Sequence, residues 1–206
     1  MKLVIASRNK GKIEEIKKYL SDTPIEVVSL SEYPAIPEVI EDGHSFEENA
    51  AKKAIFVAEY TQEIALSDDS GLEVDCLHGE PGVLSARFGG DNLDDNGRNQ
   101  LLLERMKNIP LADRTAHFTC AIAIVDPEGW IKIVKGQCQG NIDFVQRGEQ
   151  GFGYDPVFIP TGYTATFAEL GIEEKNKFSH RAKALEKARD VLKREMKIYH
   201  KGTKKE

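Results

Sequence analysis

Cysteine is scarce in this 206-residue chain, where Cys76, Cys120 and Cys138 are the only three. Three thiols cannot all pair within one chain, and none stands in a Cys-x-x-Cys or Cys/His zinc spacing. A disulfide framework is therefore excluded as the organising principle, and a reducing, cytoplasmic setting is expected. Basic charge is also short: 28 Lys and Arg against 34 Asp and Glu leave a net charge of −6. That balance disfavours a protein that holds nucleic acid by its overall field, so any anionic ligand must be captured by a local cluster. No apolar run approaches the roughly 18 residues of a membrane span, and Leu3-Val4-Ile5-Ala6 is too short for a secretory core. Neither nucleic acid nor a membrane is thus expected as a partner. Internal repeats, low-complexity tracts and domain-separating linkers are missing too. What is present, 40% hydrophobic and 30% charged residues, is ordinary for a globular protein. At roughly 150 residues per domain the length allows one large domain or two small lobes.

Apolar patterning predicts strands over Leu3–Ala6, Ile25–Leu30, Ile64–Ser67, Leu72–Leu77, Thr115–Val125, Trp130–Cys138 and Ile142–Val145. Helices are expected from near Lys12, with Ile13, Ile16 and Leu20 on one face, from the capping box Ser45-Phe46-Glu47-Glu48, and from Leu93 to Met106. The final helix starts at Ser179 with Leu185, Ala188, Leu192 and Tyr199 in register, and 201–206 reads as a solvated tail. Strand and helix alternate first and long strands follow consecutively, which predicts an α/β fold with a mixed sheet flanked by helices.

Five constellations could carry chemistry. Ser7-Arg8-Asn9-Lys10-Gly11-Lys12 lies between a strand and a helix start, where free N–H groups, a glycine and basic side chains suit a phosphate. It lacks the Walker A spacing, and a solvated polar turn explains it equally well. Glu41 precedes a helix on which Asn49 and Lys53, spaced i and i+4, share a face. Glu48 is accounted for as the reciprocal half of the capping box. Asp68-Asp69-Ser70-Gly71 follows an apolar strand, where paired carboxylates suit a hard cation but are also ordinary turn chemistry. Phe152, between Gly151 and Gly153, has a ring face able to stack on a planar base, or simply packs in a turn. Finally, Ser179 is a natural N-cap, and His180 and Arg181 put cations at the positive end of a helix, which mildly suggests a ligand nearby. His44, His78, His117 and His200 complete no metal spacing.

Read together, these segments resemble the inosine triphosphate pyrophosphatase family. The match runs through Ser7-x-Asn9-x-x-Lys12, Gly43-x-Ser45-Phe46-x-Glu48-Asn49-Ala50-x-x-Lys53-Ala54, Asp68-Asp69-Ser70-Gly71-Leu72, Pro81-Gly82-x-x-Ser85-Ala86-Arg87, Gly151-Phe152-Gly153-Tyr154-Asp155-Pro156 and Glu174-Lys175-Asn176-x-x-Ser179-His180-Arg181. Six motifs in one order over nearly the whole chain are specific. The resemblance implies a single pyrophosphatase domain over 1–206, two-lobed around a long mixed sheet, with an active-site cleft between the lobes, and a homodimer. It implies Mg²⁺-dependent hydrolysis of non-standard purine nucleoside triphosphates (ITP, dITP, XTP) to the monophosphate and pyrophosphate. By the same carry-over Asp69 is the catalytic base and a metal carboxylate, with Glu41 and Asp68 completing the metal set. Ser7, Asn9, Lys12, Lys53 and Ser70 are expected on the triphosphate, with Arg8, Lys10 and Gly11 in the same loop and Arg87 also among the substrate-binding residues. Phe152 is expected to stack on the base, and Gly153, Tyr154, Asp155, Lys175, Ser179, His180 and Arg181 to line its pocket.

Overall fold

The structure, a computed structural model, describes residues 1–202. Its frame is one six-stranded sheet in the order β2-β1-β3-β4-β5-β6, formed by β1 (Lys2–Ile5), β2 (Glu26–Ser29), β3 (Ile64–Val74), β4 (Thr115–Val125), β5 (Ile131–Ile142) and β6 (Phe158–Pro160). β1 pairs in parallel with β2 and β3, while β5 and β6 are antiparallel, so the sheet is mixed. Leu3, Val4 and Ile5 are fully buried, as expected for a parallel strand with neighbours on both sides and both faces covered. Five helices accompany the strands: α1 (Lys10–Leu20), α2 (Phe46–Thr61), α3 (Asp95–Arg105), α4 (Phe167–Phe178) and α5 (His180–Gly202).

The chain forms two compact units from interleaved segments. The first takes Met1–Asp69, Ala121–Lys135 and the chain from Lys183; the second takes Ser70–Cys120 and Gly136–Ala182. In the first, Ile16 and Leu20 of α1, Ala50, Ala54 and Val57 of α2, and Leu185, Ala188 and Leu192 of α5 are buried at the three-and-four spacing read from the sequence. The second has an aromatic core, with Phe118 edge-on to Phe158 and Phe158 against Phe167. Arg114 crosses the same region, fully buried, donating to the carbonyls of Met106, Ile142 and Asp143. Its charge is tolerated because carbonyl oxygens take up its guanidinium N–H groups.

Several sequence expectations need correction. Ile64–Ser67 and Leu72–Leu77 are not two strands separated by a turn. β3 runs through Asp68-Asp69-Ser70-Gly71 without a break, so the acidic pair lies inside a strand rather than at its C-terminal end. The strand expected at Ile142–Val145 does not form: Ile142 closes β5, and Phe144 and Val145 are exposed. α1 begins two residues early at Lys10, because Asn9 caps it by accepting from the Lys12 N–H (3.1 Å). β6 and α4 carried no clear sequence signal. β6 has three residues, and α4 is broken by Gly171 at φ 77, which disrupts helical periodicity. α5 extends to Gly202, two residues into the expected tail; residues 203–206 and the Tyr199 side chain lie outside the described residues. Among the described residues no helix is long and apolar enough to cross a membrane.

Candidate active site

In the first unit, β1 delivers the chain to a tight polar junction. Ala6 N–H donates to Leu66 O (2.8 Å), Asn9 N–H donates to the Ser7 hydroxyl (3.2 Å), and Asn9 then caps α1. The first turn of α1 contains no acid and holds Lys10, Gly11 and Lys12, a placement the helix dipole disfavours without a nearby anion. Lys12 finds one, its ammonium lying 3.3 Å from the buried Asp68 carboxylate. Lys10 is exposed. Arg8 is committed elsewhere: its guanidinium donates to Ile36 O (2.9 Å), fastening the proline-containing segment that leads to Glu41.

α2 supplies the other half of this centre. Asn49 and Lys53 do share a face, and both are buried. The Asn49 amide donates to Asp69 Oδ2 (3.1 Å) and accepts from the Gly43 N–H (2.8 Å), tying the Glu41 loop to β3. A Cβ at Gly43 would stand 2.7 Å from the Asn49 oxygen, so the close approach needs glycine here. The Lys53 ammonium donates to the Asp68 carbonyl (2.9 Å) and lies 3.1 Å from Glu41 and 3.8 Å from Asp69. Glu48 does cap α2, but its carboxylate accepts from His44 N–H, one residue before the Ser45 cap, so the reciprocal box is offset.

Asp69 is the electrostatic focus. Burial pushes its carboxyl from an ordinary 3.8 up to about 6, and Glu41 adds to the rise; Lys53, Lys12 and the Asn49 amide pull the other way without cancelling it. Among the described residues no three His, Cys, Asp or Glu side chains are grouped as a ready metal cage. The donors that gather around the Lys53 ammonium are nonetheless all oxygens, from Glu41, Asp68 and Asp69. This is the hard donor chemistry magnesium takes, and magnesium ordinarily completes its shell with water and substrate phosphate rather than a protein cage.

The second unit organises a different cluster. Asp155, almost wholly buried, accepts from the Phe152 N–H (3.0 Å) and from the Lys175 ammonium (2.7 Å). A Cβ at Gly151, where φ is 83°, would collide with that carboxylate. Lys175 also lies 4.6 Å from the Phe152 ring centre, with the Arg181 guanidinium 5.5 Å away, both within cation–π range. The buried Tyr154 hydroxyl donates to Ser85 O (2.9 Å), and burial pushes its pKa well above that of an ordinary phenol. Ser179 caps α5 through the Ala182 N–H (3.2 Å), and the His180 ring stacks on Phe118 at 4.6 Å. Arg181 donates to the Ser70 hydroxyl (2.9 Å), which joins a residue expected at the base to one expected at the triphosphate. Arg87 is exposed at the end of the 3₁₀ helix Gly82–Arg87.

Sequence reading missed Asp95 and Asn99 of α3, which bond both backbone groups of Gly153, and Phe118 beneath His180. The i,i+4 spacing of Asp95 and Asn99 was the available signal. Phe118 looked like any core aromatic.

These elements define an α/β protein with a lysine–carboxylate centre in one unit and an aromatic–cation cluster in the other. The model of the Ham1 family matches residues 3–191, and the chain belongs to that family. It is 52% identical over 194 residues to a dITP/XTP pyrophosphatase of Desulforamulus reducens, covering 94% of this chain and 96% of the relative. It is 48% identical over 191 residues to one of Geobacter sulfurreducens, covering 93% and 96%. Among solved structures, a HAM1 protein from Coxiella burnetii superposes with a TM-score of 0.87 at 39% identity, over 94% of this chain and 99% of that one.

Proposed function

We propose that this chain is a magnesium-dependent pyrophosphatase of non-standard purine nucleoside triphosphates, converting ITP, dITP and XTP to the monophosphate and pyrophosphate. Relatives named as dITP/XTP pyrophosphatases over almost their entire lengths support the substrate class. The observation that carries the chemistry is Asp69, a buried carboxyl raised to about 6 between two lysines. A group with that pKa is ionised at neutral pH yet basic enough to take a proton from water.

In this reading Asp69 orients and deprotonates the water that attacks the α-phosphorus. The bond from that phosphorus to the bridging oxygen breaks, and pyrophosphate leaves. Ser7, Asn9 and the first-turn amides of α1 bind phosphate oxygens, with Lys10 and Gly11 in the same turn. Arg8 steadies the Glu41 segment. Lys12 and Lys53, with Ser70, neutralise charge on the leaving pyrophosphate; phosphoryl transfer depends chiefly on such positioning and neutralisation. When bound, a magnesium ion held by Glu41, Asp68 and Asp69 supplies Lewis-acid polarisation of the phosphate oxygens. Phe152 stacks on the base, and Lys175, His180, Arg181, Asp155, Ser179, Gly153 and Tyr154 shape its pocket, with Arg87 a further substrate contact. Donors at the base edge suit a 6-keto oxygen and oppose the 6-amino group of adenine, a mismatch able to discriminate by about 10⁴. We further propose one catalytic domain over 1–206, working as a homodimer in the cytoplasm. Family resemblance supports the dimer, and three cysteines outside any disulfide support a reducing compartment.

A panel of dITP, XTP, GTP, ATP, UTP and dTTP, assayed for orthophosphate with and without inorganic pyrophosphatase, tests the reading. Turnover of dITP and XTP with orthophosphate visible only in the coupled assay is expected. Direct orthophosphate release, or preference for a pyrimidine, overturns it.

A further inference from the structure

Gly153 is held at both of its backbone groups by one face of α3. Asp95 Oδ2 accepts from its N–H (2.7 Å), and the Asn99 amide donates to its carbonyl (2.9 Å). Asp95 and Asn99 are four residues apart, so both side chains project from the same side of the helix. Gly153 takes φ 61, and a Cβ there would meet nothing within 4 Å. The glycine is therefore required by backbone conformation and not by crowding.

Phe152 precedes this clamped residue, and its own N–H is held by Asp155. The backbone on either side of the Phe152 ring is thus fixed by three side chains, two of them from α3. Asn99 is 1% exposed, and its Oδ1 has no hydrogen-bond partner among the described residues. A buried amide oxygen without a partner is destabilising. An apolar residue of similar size would avoid that penalty, which indicates that Asn99 serves its Nδ2 donor and not the packing of α3.

We propose that Asp95 and Asn99 are positioning residues for base recognition: their clamp on Gly153 sets the attitude of the Phe152 ring and thereby affinity for the purine. The inference rests on the pyrophosphatase reading, in which Phe152 contacts the base. Neither α3 residue takes part in the chemistry at Asp69, so their loss acts on substrate affinity.

The test measures KM and kcat for dITP and XTP, together with thermal midpoints, in the full chain and in Asp95→Ala, Asp95→Asn and Asn99→Leu. Asp95 has an exposed side chain, so its variants leave the core intact. Asp95→Ala is expected to raise KM about tenfold with kcat within twofold, and Asp95→Asn, which retains an acceptor, to restore most of the affinity. Asn99→Leu is expected to raise KM similarly while keeping or raising the thermal midpoint, the opposite of what a structural role would give. Wild-type KM in both Asp95→Ala and Asn99→Leu overturns the clamp, as does a fall in kcat with KM unchanged. Failure of the unmodified chain to hydrolyse dITP and XTP would instead overturn the pyrophosphatase reading.

Discussion

The two charged clusters hold their acids in different ways. Around Asp69, Lys12 and Lys53 lie 3.1 to 3.8 Å from carboxylate oxygens of Glu41, Asp68 and Asp69, and the Asp69 carboxyl is left at about 6 by burial. Around Asp155, the Lys175 ammonium at 2.7 Å and the Phe152 N–H both bond one carboxylate oxygen in nearly complete burial. The first arrangement retains an appetite for more positive charge and for a proton. The second is paired and suited to holding a loop in shape. In the proposed function, chemistry belongs to the first and recognition to the second.

The largest expected effect breaks the first cluster. Asp69→Asn should lower kcat by about 10³ while nucleotide binding, read by calorimetry, persists; substantial retained turnover would remove Asp69 as the base. Next comes the second cluster, where Asp155→Ala removes the carboxylate that the buried Lys175 ammonium contacts at 2.7 Å. Urea unfolding should show a loss of about 3–5 kcal/mol, and a near-neutral result would mean that the pair does not brace the loop.

A pH experiment sharpens the contrast. Because the folded Asp69 carboxyl sits at about 6 against an ordinary 3.8, the folded state binds the extra proton between those values. Stability of the metal-free protein attributable to this group therefore rises as pH falls from about 6 toward 3.8 and is lost as pH climbs through the same window, by about 3 kcal/mol. Asp69→Asn should flatten that part of the difference curve measured by denaturant titration. Identical pH profiles would show that burial does not raise this carboxyl. The smallest effect falls on the loop that supports the first cluster: Arg8→Ala removes one partly buried hydrogen bond to Ile36 and should cost about 1 kcal/mol, seen as a few degrees in the thermal midpoint.

Much of the fold was legible because its signals are local. The buried β1, the Ser45 cap and the amphipathic faces of α1 and α5 follow from spacing alone. Asp68-Asp69-Ser70-Gly71 misled because turn-forming residues outweighed the apolar flanks, whereas in the structure sheet pairing and lysine neutralisation keep the segment extended. The residue types of the candidate site were visible in the motifs, but their partners were not. Nothing local tells that Arg8 reaches Ile36, that Arg181 reaches Ser70 over 111 positions, or that α3 clamps Gly153. Such long-range hydrogen bonds arise only once the strands have set the loops beside one another.

Hydrolysis of dITP in ¹⁸O-labelled water, with products resolved by mass, tests most directly whether water activated at Asp69 attacks the α-phosphorus. One labelled oxygen in the nucleoside monophosphate and none in pyrophosphate are expected. Label in pyrophosphate, or in orthophosphate released directly, would contradict attack at the α-phosphorus.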